Sequence, residues 1–157
     1  MKSINLIALG VIALTSGCAS IVNDSTHPVR FETYAADGSE VKGMDCKYEN
    51  DYGAQTVKTP GTAQVRRSSK DLQILCLKDG TADAKGTAIS RANGGMAGNI
   101  LLGGGIGAII DHNKGTAYTY PEWMRLVTSR ETTFDRRNDK DGVPNVGVLP
   151  AASTAAK

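Results

Sequence analysis

Aromatic residues are scarce in this chain, at 5% of the total, so its core must be modest and filled mainly by aliphatic and small side chains. An excess of either charge is also missing. Eighteen Lys and Arg stand against 16 Asp and Glu, a formal +2, which is too little base to draw in nucleic acid by neutralising phosphates. Histidine is limited to His27 and His112, and a nucleophile needs a base within hydrogen-bond reach. His27 falls near the start of the mature chain, and Asp111-His112 are adjacent in sequence, a spacing that directs side chains apart rather than into a relay. There is no Gly-x-Ser-x-Gly elbow to present a serine. The glycine run at 103–107 has neither the Gly-Lys-Ser/Thr ending of a P-loop nor the fitted Gly-x-Gly-x-x-Gly of a dinucleotide loop. Carboxylates such as Asp37, Glu40 and Asp45 are scattered over turns. Catalysis, a bound metal and a cofactor are therefore not expected, and neither is a nucleic-acid partner.

The N-terminus is informative. Met1-Lys2-Ser3 is a short basic start, residues 4–14 are almost wholly apolar, and Thr15-Ser16-Gly17 are small. This is the layout of a signal peptide. Its apolar run of about 11 residues falls short of the roughly 20 that a helix needs to cross a bilayer. Removal of residues 1–17 leaves roughly 140, a single-core length. A cysteine directly after Ser-Gly resembles the lipobox of bacterial lipoproteins, the likeness covering residues 14–18. It departs from the commonest lipobox in placing Thr15 where Leu is usual, with Leu14 one position further out. The resemblance implies that Cys18 is acylated and becomes the first residue. Two or three acyl chains, at about 0.8 kcal/mol per buried CH₂, give stable anchoring. Ala19, rather than Asp, follows the cysteine; by resemblance to the sorting rule of enteric bacteria this implies the outer membrane, with its periplasm-facing leaflet as the default. The alternative is a secreted protein in which Cys18 is free or disulfide-bonded.

With Cys18 assigned to lipid, Cys46 and Cys76 remain as an even pair in an oxidising compartment, which predicts a disulfide. Closing a loop of about 31 residues stabilises a fold by roughly 3–4 kcal/mol on the chain-entropy model. A redox or metal role is disfavoured, because there is no Cys-x-x-Cys and both histidines lie far from either cysteine in sequence.

After a tether over 18–27, residues 29–33 alternate apolar and polar as a half-buried strand does. Asp37-Gly38 turns the chain. A second strand over 41–48 puts Met44, Cys46 and Tyr48 on one face, followed by a turn at 50–53. Another turn at 59–62 leads into a third strand with Ala63 and Val65 on one side. Residues 71–78 form a fourth, in which Leu72, Ile74 and Cys76 share a face, so that Cys46 and Cys76 can both point inward. Residues 116–120 and 123–127, separated by Pro121, add strands rich in aromatic and β-favouring residues. The pattern predicts a mainly β protein, a small antiparallel sandwich over 28–128. Tyr118, Tyr120 and Trp123 are read as core, with an aromatic ligand platform as the rival reading.

Residues 92–110 carry no charge and are dense in glycine, with Gly94 to Gly98 and Gly103 to Gly107 at small-xxx-small spacing. Glycine costs about 1 kcal/mol per site relative to Ala in a helix, so this insertion is helical only against an apolar partner. Ile100, Leu101, Leu102, Ile106, Ile109 and Ile110 are its contact candidates. The partner is the domain's own sheet by default, or else the lipid surface, a membrane protein or a second copy of the chain. Asn93 and Asn99 argue against burial in lipid. From Ser129 the composition turns to mixed charge and then Gly, Pro, Ala and Ser, which predicts a disordered tail over 129–157.

Together, Cys18-Ala19-Ser20-Ile21-Val22, the turn Thr59-Pro60-Gly61-Thr62, the Leu-x-Ile-x-Cys strand, the stretch from Gly98 to Asp111, and Gly115 with Tyr120-Pro121 resemble small bacterial envelope lipoproteins over roughly 18–127. That resemblance implies a compact sandwich similar to PEGA domains and a glycine stretch similar to the glycine zipper of rickettsial 17 kDa surface antigens, and brings no catalytic residues. The expectation is an outer-membrane lipoprotein held by Cys18, with a structural or protein-interaction role through envelope proteins or self-association. The alternative is a monomeric periplasmic module binding a ligand or peptide.

Overall fold

The computed structural model describes residues 25–92 and 117–149. Cys18, residues 1–24 and the candidates from Ile100 to Ile110 lie outside these residues. Among the described residues there are ten strands. Strand β1, Thr26–Tyr34, is the middle of a three-stranded sheet, with β4 (Gly61–Arg66) antiparallel on one side and β9 (Trp123–Val127) parallel on the other. A five-stranded sheet has the order β10-β6-β5-β2-β3, formed by Glu131–Phe134, Thr81–Ala88, Leu72–Lys78, Asp45–Asn50 and Gly53–Lys58 respectively. A short pair, β7 (Arg91–Ala92) with β8 (Tyr118–Thr119), brackets residues 93–116.

The core lies between the two sheets and follows the period-2 alternation of the strands. Val29, Phe31, Val65, Met124 and Leu126 come from the smaller sheet; Cys46, Tyr48, Leu72, Ile74, Cys76 and Phe134 come from the larger. Phe31 stacks on Tyr48 with ring centroids 5.4 Å apart. Cys46 and Cys76 are paired in register across β2 and β5 and joined by a disulfide, with Cα atoms 3.8 Å apart.

The structure departs from the sequence expectation in four places. The sheets are mixed rather than antiparallel: β9 runs parallel to β1, and β10 parallel to β6. Hydrophobic periodicity carries no strand direction, and long connections permit parallel return. The strand expected at 41–48 starts only at Asp45; Val41 instead donates its N–H to the Thr33 carbonyl at 2.8 Å, outside the strand. The tether ends earlier than residue 27, because Thr26 and His27 already belong to β1 and His27 is buried. Order also extends past 128. Strand β10 and a 3₁₀ turn at Arg136–Asn138 precede bridges of Asn145 to Met124 and Val148 to Thr133. Composition missed this segment because a single apolar side chain, Phe134, anchors it in the core, while Asn145 fixes the return: its Nδ2 donates to the Asp135 carbonyl at 2.9 Å and to Asp139 Oδ1 at 2.8 Å. Among the described residues the 3₁₀ turn is the one helical element.

Candidate functional site

Tyr118, Tyr120 and Trp123 follow one another closely in sequence, yet the chain does not bring them onto one surface. Tyr120 is fully buried, its hydroxyl donating to the Lys70 carbonyl at 2.7 Å and accepting from Asn50 Nδ2 at 3.1 Å. Burial pushes its pKa up. Tyr118 is half-buried, and its carbonyl accepts from Arg67 Nη1 at 3.2 Å. Because Met124 and Leu126 face inward, Trp123 and Arg125 point to the outer face of the smaller sheet. There Arg30 lies 4.7 Å above the Trp123 ring and Arg125 4.0 Å above Tyr34. Glu32 joins the two cations, accepting from Arg30 Nε at 2.9 Å and from Arg125 Nη2 at 3.3 Å. The alternation of Arg30, Glu32 and Tyr34 put them on one face in the sequence. What could not be read there is the parallel register Arg30↔Trp123 and Glu32↔Arg125 that completes this ladder.

Beside Trp123 lies a cleft of about 240 Å³, bounded by Glu122, Arg136, Asp139, Lys140 and Asp141 among others. Its walls are mostly charged. Among the described residues no group of three or more His, Cys, Asp or Glu side chains is placed to hold a metal ion.

A second region forms where strands end together. Thr26 pairs with Arg66, so the start of β1 meets the end of β4, and Arg67 N–H donates to the Ser25 carbonyl at 2.8 Å. Arg67 then reaches Tyr118, while Asn50 Nδ2 reaches the Arg66 carbonyl at 2.9 Å. The loop after β4 is tied in by Ser68 Oγ, which bonds Asp51, and by Asp71 Oδ1, which accepts from Ser90 N–H at 2.9 Å. Arg91 closes the ring of contacts: its Nε donates to Asp135 Oδ1 at 3.1 Å, and its guanidinium also pairs with the second carboxylate oxygen.

Compared with protein families, with curated proteins and with solved structures, the chain finds no match. The chemistry of this region must be read from its own residues. Hydrogen bonding from Arg91 holds the Asp135 carboxyl down at about 2, helped by the Arg137 backbone N–H and opposed by partial burial. His27 is 5% exposed and stacks on Tyr120 at 6.0 Å. Burial first, and then the charge of Arg67, lower its pKa from 6.5 to about 4, against an upward pull from the Tyr120 backbone; Arg136 adds to the lowering. The imidazole is therefore neutral near pH 7. The region gathers Arg66, Arg67, Arg91, Arg136 and Arg137 around three chain exits: residue 25, from which the chain runs back toward Cys18, and residues 92 and 117, which flank the glycine-rich segment. Sequence reasoning missed this cluster. Its signals, Arg66-Arg67 and Arg136-Arg137, were two short basic pairs 70 positions apart, joined only by the return of β9 and β10 to the same end.

Proposed function

We propose that the protein is an envelope lipoprotein, anchored through acyl chains on Cys18 to the periplasm-facing leaflet of the outer membrane, and that it acts as a structural or interaction module without catalysis. The observation that carries this reading is the shared exit of the chain. Residue 25, seven positions after Cys18, and residues 92 and 117, which flank the glycine-rich segment in sequence, lie at one end of the described residues, which supports a shared role for the two segments. The cross-strand disulfide fits an oxidising compartment. The resemblance to small envelope lipoproteins with a PEGA-like sandwich belongs to the same reading.

A second reading, a monomeric ligand-binding module, has the cleft beside Trp123 in its favour. That cleft is walled mostly by charged side chains, whereas small-molecule sites are mostly apolar, and the lipoprotein reading is preferred.

The test is covalent. Cells fed radiolabelled palmitate are expected to label the protein and to retain it in the outer-membrane fraction, whereas Cys18→Ser carries no label and leaves the acyl-dependent fraction. Absence of label on the unaltered chain would overturn the reading.

A further inference from the structure

We propose that the arginine-bearing end of the sandwich is a docking surface for anionic phospholipid headgroups, which sets the molecule upright on the bilayer with that end down. The inference rests on the lipid-anchor reading and adds an orientation to it. Arg91, Arg136 and Arg137 line one open cleft with Ser90 and Ala92, and Arg66, at the end of β4, lies 4.2 Å over the Tyr52 ring. The Arg136 and Arg137 side chains stand on the 3₁₀ turn capped by Asp135, whose Oδ1 accepts the Arg137 N–H at 3.1 Å. Guanidinium groups match phosphate geometry and are only weakly hydrated, which suits them to headgroups.

The carboxylates at this end are occupied by donors. Asp51 is bonded by Ser68, Asp71 by the Ser90 N–H, and Asp135 by Arg91. Glu122, Asp139 and Asp141 border the cleft beside Trp123, which Arg136 also lines. At the opposite end, where β1 leads into the turn at 35–39 and β5 into the turn at 79–80, Glu40 and Asp45 pair with Lys42 and Lys58, and Asp37, Asp79 and Asp83 are exposed.

Two further facts select a membrane as the occupant. The link from Cys18 to Ser25 reaches at most about 25 Å even when fully extended, so an acylated chain cannot carry this end far from the headgroups. Attraction between Arg and an anionic leaflet acts within a Debye length, about 8 Å at physiological salt, and each basic residue near such a surface contributes roughly fivefold in partitioning. The chain exits at residues 25, 92 and 117 lie on the same side as the arginines.

The experiment uses the full mature chain with Cys18→Ser, so that acyl chains make no contribution, and vesicles of about 30% phosphatidylglycerol in phosphatidylcholine against phosphatidylcholine alone. Binding is expected to the anionic vesicles only, and to weaken as salt rises. Arg136→Glu with Arg137→Glu is expected to lower partitioning by more than about 25-fold, while Lys42→Glu with Lys58→Glu, at the other end, leaves it within about twofold of the parent. If the charge-reversed pair fails to fold by circular dichroism, Arg136→Gln with Arg137→Gln replaces it, with about a 25-fold loss expected. Equal binding to both vesicle types, no binding to either, or an equal loss from the two variant pairs would each overturn the proposal. Palmitate labelling separates its failure from that of the anchor: a labelled chain without vesicle selectivity sinks the orientation alone, and selective vesicle binding by a chain that never takes up label sinks the anchor.

Discussion

Strands β5 and β6, neighbours in the larger sheet, build one core in opposite ways. In β5, Leu72, Ile74 and Cys76 are large or medium apolar groups facing inward, with Gln73 outward. Its neighbour β6 buries Ala84, Gly86 and Ala88, which leave almost no apolar signal in the sequence. The small residues are complementary to two large ones that arrive later: a Cβ on Gly86 would sit 2.8 Å from Phe134 Cε2 and 3.1 Å from Leu126 Cδ2. Strand β5 fills space, and β6 leaves space for side chains supplied far along the chain.

The strongest way to break this contrast is Phe134→Ala. If Phe134 is the filler for the floor of β6, its truncation should destabilise the protein by about 3–5 kcal/mol, against about 0.5–1.5 for Ile74→Val in β5, both read from urea unfolding. A loss for Phe134→Ala below that of Ile74→Val would mean that residues 131–149 are not part of the folded unit, and that the domain ends near 128 as composition alone suggests.

Legibility follows the same division. Where a strand carries its own apolar face, as around Val29 and Phe31 or Leu72 and Ile74, alternation is sufficient to place it, and the inward Cys46 and Cys76 could be paired on paper. Edge strand β3 has Gln55 and Thr56 exposed on both sides and offers no period to detect. Strand β10 shows one apolar residue. Tyr120 was expected in the core and is there, but its role as the joint between Asn50, Lys70 and His27 depends on contacts 50 to 93 positions from one another's neighbours, as does the ladder from Arg30 to Arg125. Local pattern yields elements; register and the gathering of Arg66, Arg67, Arg91, Arg136 and Arg137 come from topology, which no short window contains.

Acidification tests the seam where β1 meets Tyr120. His27 from β1 is buried against Tyr120, with Arg67 and Arg136 nearby. Its folded pKa of about 4 lies below the unfolded 6.5, so below pH 6.5 the unfolded chain takes up a proton that the folded one refuses. Stability is therefore full above pH 6.5 and falls as pH drops toward 4, by about 3 kcal/mol from this group. In His27→Phe, which keeps a ring against Tyr120, the slope between pH 6.5 and 4 should largely vanish. The loss that sets in below about 4, as Asp135 gives up its pairing with Arg91, should remain. An unchanged slope in His27→Phe would place the acid sensitivity elsewhere.

The smallest effect probes the contact itself. Gly86→Ala adds a methyl that Phe134 and Leu126 must accommodate, an overpacking cost of about 1–3 kcal/mol, offset by the roughly 0.5–1 kcal/mol that Ala gains over Gly in a strand interior. The net loss should be near 1 kcal/mol. In a Phe134→Ala background the same methyl enters vacated space and relieves part of the cavity, so Gly86→Ala there should be neutral or stabilising. A double-mutant cycle should show that reversal of sign as coupling, as expected for residues in contact. If the two changes are instead additive, β6 is small for some reason other than the ring of Phe134, and the complementarity between β6 and that ring fails at the place where the geometry is tightest.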